Sequence, residues 1–115
     1  MSGTGLPPGV HRLDDVGPGT MADLRRAGWR LVLLPPVAST AGFYAALAVA
    51  LPLPAWFGAN LDALADSLAD LAEPTALVLQ GWQGYAGTEP AAAGRVLSVL
   101  AERAAVAPPF AVLLA

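Results

Sequence analysis

Apolar positions fall into three short unbroken runs, separated by stretches in which they recur at helical spacing. Residues 29–34 (WRLVLL), 75–80 (TALVLQ) and 110–114 (FAVLL) are the runs. Each is short, rich in β-prone apolar side chains and bounded by proline, which predicts strands. Strands without polar alternation are buried on both faces, the signature of a parallel sheet covered by helices. Between them, Thr20 is placed to cap a short helix that Gly28 stops. Ser39 or Thr40 is placed to cap a helix running to Ala50, with Phe43, Leu47 and Ala50 at helical spacing. Asn60, a favoured capping residue, opens a helix predicted over 60–72 and stopped by Pro74. A long helix is predicted from Thr88 or Glu89 to Val106, with Pro90 in its first turn, where proline is tolerated. Residues 1–19 and 81–87, punctuated by glycine and proline, are predicted as loop. The expected order is β-α-α-β-α-β after one short N-terminal helix, an α/β fold with a three-stranded parallel sheet flanked by helices. No internal repeat is visible.

The helix over 60–72 is two-faced. At about 100° per residue, with Asp62 at zero, Asp66, Asp70 and Glu73 fall within about 80° of it. Leu64, Leu68 and Leu71 fall on the opposite side, so an apolar stripe faces inward and an acid stripe outward. Like charges four residues apart cost a few tenths of a kcal/mol per pair. Asp70 and Glu73, near the C-terminal end, are also opposed by the helix dipole. One account of the stripe is a solvated face kept for solubility. The other is a binding face, which its small cost to the helix and its lack of a compensating base favour.

Charge over the whole chain sharpens that contrast. Residues 31–94 contain Asp62, Asp66, Asp70, Glu73 and Glu89 and no basic residue, and lysine is absent throughout. Direct nucleic-acid binding needs basic side chains to neutralise phosphates, so it is excluded, and an acidic middle suits a basic partner instead. A mean hydropathy of +0.56 raises the question of a membrane span. The longest uncharged stretch, residues 31–61, is broken by Pro35, Pro36, Pro52 and Pro54, and a helical span needs about 20 apolar residues in one piece. No basic segment followed by an apolar one opens the chain, so no signal peptide is read there. The absence of cysteine excludes disulfides and thiol chemistry and fits a cytoplasmic protein. His11 stands alone in a glycine- and proline-rich leader and reads as a solvated surface residue.

Residues 53–68 read LPAWFGANLDALADSL. Pro54, Trp56, Phe57, Gly58, Asn60, Leu61, Asp62, Ala63, Leu64 and Asp66 fall in register with the barstar signature, and this segment resembles it. The resemblance covers roughly residues 29–115, with LVLQ, VLSVLAER and FAVLLA in the places of the family's later strands and helix. Residues 1–28 are an N-terminal extension by this reading, partly flexible with a short helix, and 29–115 the barstar-like domain. What the resemblance implies is a protein that blocks the active site of a barnase-type ribonuclease, presenting helix carboxylates to the cations that would hold RNA phosphate. Carried over, Asp66 is the chief anchor, Asp62 pairs with a second cation and Glu102 adds a salt bridge from the neighbouring helix. Trp56 stacks at the mouth of the enzyme's site or else packs in the core. Asn60 makes a partner contact or simply caps its helix. Gly58, Leu61 and Ala63 supply backbone and packing contacts.

Three positions depart from the pattern. Ala65 stands where the family often has a large aromatic that contacts the enzyme, and Ala69 and Asp70 replace a small polar residue and a glycine. These departures point to a different, still basic, cognate nuclease. The expected partner is thus a basic extracellular or toxin ribonuclease bound one to one, without cofactor, metal, membrane or small-molecule substrate. Three rivals remain. The first is an interaction module of the same fold with a basic non-nuclease partner. The second is an enzyme using Asp62 and Asp66 as acid and base or as Mg²⁺ ligands, although no histidine, lysine or phosphate loop converges on them. The third is a scaffold that oligomerises through its apolar surplus.

Overall fold

A computed structural model describes residues 9–51 and 59–115. Strand β1 (Gly9–Arg12) is followed by helices α1 (Leu13–Val16) and α2 (Thr20–Arg26), then β2 (Arg30–Leu34), α3 (Thr40–Ala50) and α4 (Leu61–Ala69). Strand β3 (Thr75–Leu79), helices α5 (Trp82–Thr88) and α6 (Pro90–Ala104), and strand β4 (Phe110–Leu114) complete the chain. The strands form one sheet in the order β1-β4-β3-β2, with every pairing parallel. The predicted α/β class, a parallel sheet flanked by helices, is the observed one.

Period-two side-chain alternation sorts the central strands between two cores. Leu77 and Leu79 of β3 and Phe110 and Val112 of β4 join Phe43, Leu47, Leu64, Leu68, Val96 and Leu100, contributed by α3, α4 and α6. Ala76 and Val78 of β3 and Leu113 of β4 point the other way, against Leu24 of α2, with Leu13, Val16, Met21, Trp29 and Leu31 around them. Strand β3 is consequently buried along its whole length.

Four differences from the sequence expectation have identifiable causes. The sheet has four strands, because Gly9–Arg12 pairs with β4 along the register Gly9↔Ala111 to Arg12↔Leu114. A GVHR run carries too little apolar pattern to announce itself, and an edge strand takes its place mainly through backbone hydrogen bonds to a neighbour. Residues 13–16 are helical as well, where loop was expected. Helix α5 spans Trp82–Thr88, where loop was expected over residues 81–87. There Trp82 and Tyr85, spaced three apart, turn inward onto Phe43, with ring centroids 6.0 and 6.1 Å from it. That aromatic packing overrides the poor helix propensity of Gly84 and Gly87. The turn into α5 needs Gly81, which has φ of 59° and whose absent side chain leaves room for Pro36. Helix α4, finally, ends at Ala69 with Asp70 as its C-cap, so Glu73 lies beyond the helix.

His11 is half-buried in β1 rather than on a solvated leader. The cis X–Pro bond among the described residues is Ala107–Pro108.

Candidate acidic interface on helix α4

Helix α4 is fixed from both ends. At its start, the Asn60 side chain accepts a hydrogen bond from the Ala63 amide at 2.8 Å. This satisfies one of the free N–H groups of the first turn. The capping account of Asn60 is therefore realised in the fold. At its other end, Arg103 of α6, almost fully buried, donates from Nε to the Leu68 carbonyl at 2.8 Å. The same guanidinium donates to the carbonyls of Val106 and Pro108 at 2.9 and 3.1 Å and stands 5.5 Å from the centre of the Phe110 ring. No buried side-chain polar atom among the described residues lacks a partner. A cation at the C-terminal end of α4 is favoured by the helix dipole and partly offsets the acids there.

Leu64 and Leu68 are fully buried, whereas Asp62, Ala65, Asp66, Ala69 and Asp70 are exposed. Leu61 and Ala63 are half-buried, Leu61 against the main core. Burying two leucines contributes about 3–6 kcal/mol. Repulsion between acids four apart costs only a few tenths, so the leucine seam holds the helix in place despite its charge. Among the described residues the one ion pair is Arg26 with Asp23. Asp62, Asp66, Asp70 and Glu102 are exposed, and none of them is paired with a cation among the described residues.

Helix α6 lies beside α4 in the same direction: its residues Arg95 and Val96 share a groove with Asn60, Leu61 and Asp62, and Arg103 reaches Leu68. Glu102, adjacent to Arg103, is exposed on α6. The groove has a volume of about 460 Å³ and is also lined by Thr40 and Tyr44 of α3. Sequence reasoning passed over Arg95. Its signal was present, as the first base after 64 residues without one (31–94). Trp56 and Gly58, with Pro54 and Phe57, lie outside the described residues.

Helix α3, which forms the far wall of the groove, is fixed from outside its own sequence. Ser39 caps it through the Gly42 amide at 3.0 Å. The Glu89 carboxylate accepts from both the Thr40 amide and the Thr40 hydroxyl at 3.0 Å, and that hydroxyl is 2.7 Å from the Tyr85 hydroxyl. Glu89, counted above with the acids of the base-free middle, is therefore committed to an internal cap. Burial, and then the charge of Tyr85, push the Tyr44 hydroxyl above its ordinary pKa. Among the described residues no three His, Asp or Glu side chains come together as a metal site, and no helix is long and apolar enough to cross a membrane.

Fold and surface together define an α/β protein that displays a solvated acidic helix beside a buried parallel sheet. The family model described as barstar (barnase inhibitor) matches residues 30–115, and the chain belongs to the barstar family. That family is one of ribonuclease inhibitors rather than enzymes. No curated protein matches the chain.

Proposed function

We propose that this protein is a cytoplasmic inhibitor of a basic, barnase-type ribonuclease, extracellular or toxin, bound one to one. The carboxylates of α4 occupy the places that RNA phosphates take in the enzyme's site. Asp66 is the chief anchor, Asp62 pairs with a second cation and Glu102 adds a salt bridge from α6. Trp56 stacks at the site mouth, while Gly58, Asn60, Leu61, Ala63, Ala65 and Asp70 complete the contact surface. The observation that supports this reading is the row Asp62, Asp66 and Asp70, exposed on one helix face without an ion pair among the described residues, in a chain of the barstar family. Opposite potentials on the two proteins steer encounter and raise the association rate, an effect that salt screens.

The test is titration of a panel of basic microbial ribonucleases with the full chain at low and high salt. Stoichiometric inhibition that weakens as salt rises is expected. No inhibition across the panel would instead assign α4 to a basic partner that is not a nuclease.

A further inference from the structure

Within the proposed inhibitor interface, the geometry points to Arg95 as a specificity-determining residue that pairs with a carboxylate on the ribonuclease, beside the cations that meet α4. This inference rests on the inhibitor reading and deepens it. On α6, Arg95, Ser98 and Glu102 are all exposed and recur at spacings of three and four, so they form one stripe. Val96 and Leu100, between them, and Arg103, next to Glu102, are buried on the other side of the helix. The stripe borders α4 along its length, from the groove that Arg95 shares with Asp62 to the neighbourhood of Leu68, where Arg103 anchors. A partner that covers Asp62 and Glu102 therefore covers Arg95 too.

Arg95 has no ion pair among the described residues, although Asp62 lines the same groove. The segments outside the described residues, 1–8 and 52–58, contain no acidic side chain that could serve it. The composite face thus carries a charge polarity: Asp62 with Arg95 at one end, Asp66 in the middle, Asp70 with Glu102 at the other. Set against a uniformly basic cleft, Arg95 would meet only like charge, which costs affinity. Against a basic cleft with a carboxylate at the matching end, it forms a pair and fixes which way round the inhibitor docks. The partner that fits is therefore a ribonuclease whose basic cluster is flanked by an aspartate or glutamate.

The two alternatives give opposite signs, which the experiment uses. The inhibition constants of wild type, Arg95→Ala, Arg95→Lys and Arg95→Glu are measured against an enzyme of the panel that wild type inhibits. Position 95 is exposed on a long helix, so all four fold, and circular dichroism checks it. Arg95→Ala is expected to weaken inhibition about tenfold, Arg95→Lys less, and Arg95→Glu more. Unchanged or tighter inhibition by Arg95→Ala or Arg95→Glu would overturn the role of Arg95 and leave the inhibitor reading standing. Wild type that inhibits no enzyme of the panel would overturn both. Self-association of wild type abolished by Arg95→Glu would place a second copy at the groove and overturn the proposal as well.

Discussion

Asp66 and Asp70 stand one helical turn apart on the same exposed face, yet their replacement has different consequences. Asp66 is exposed, so Asp66→Ala is expected to leave thermal stability within about 0.5 kcal/mol. Its effect on inhibition is expected to be the largest of any single change, about 2–5 kcal/mol; that range is general for truncating one partner of a buried charge pair, and the barnase–barstar complex is its worked case. Wild-type affinity in Asp66→Ala would remove the anchor role. Asp70 is the C-cap of α4, where a negative charge opposes the dipole. Asp70→Ala is expected to weaken inhibition less and to raise the melting temperature slightly. Tyr44 gives the residue scale a pH dependence. Its hydroxyl, raised by burial first and by Tyr85 second, keeps its proton to higher pH in the folded than in the unfolded chain. The stability this contributes is complete below about pH 10 and is lost as pH rises through the folded value. The denaturation midpoint should fall as pH rises above about 10, and fall less steeply in Tyr44→Phe.

At the scale of elements, the acidic face depends on contacts made outside α4. Arg103 ties the Leu68 carbonyl to α6 and to the turn before β4. Arg103→Met keeps much of the aliphatic volume but strands three carbonyls, and is expected to cost about 3 kcal/mol of stability by urea unfolding. A loss below about 1 kcal/mol would mean that water replaces the guanidinium at all three. At the opposite end, Asn60→Ala removes the hydrogen bond to the Ala63 amide and is expected to cost about 1 kcal/mol. Local signals of this kind were readable in advance. Ser39, one of the two caps expected for α3, and Asn60 cap their helices, and Leu64 and Leu68 face inward as their spacing requires. Helix α5 was not readable, because two glycines hid a helix held by tertiary aromatic contacts. The C-terminal end of α4 was missed for a similar reason: near it the Leu68 carbonyl is held by Arg103 of α6, a partner that no local pattern encodes.

For the molecule as a whole, residues 9–28 do more than precede the matched region. They supply the fourth strand and cover the second face of the sheet, where Leu24 is fully buried against Ala76, Val78 and Leu113. Deletion of residues 1–28 would uncover that face. The truncated chain is expected to lose about 3 kcal/mol or more, to bind a dye specific for exposed apolar surface and to associate. Unchanged melting with no dye binding would show that the matched region stands alone. The acid face lies across the sheet from this layer, so whatever truncated protein remains folded should still inhibit the same enzyme.

The sequence alone determined the class of fold and the polarity of α4. Wholly apolar runs must be buried on both sides, and leucines and aspartates at helical spacing must separate onto opposite faces, whatever surrounds them. Family membership was equally legible, because the register from Pro54 to Asp66 is a local string. What only the tertiary structure decided are features that depend on residues distant in the chain. Gly9–Arg12 becomes a strand because β4 offers it an edge. Glu89 becomes an internal cap because the start of α3 folds onto it. Arg95 comes to border the acidic face because α6 packs alongside α4. Each of these roles is set by backbone groups and charges that lie far away in sequence, and therefore leaves no periodic mark on the segment that performs it.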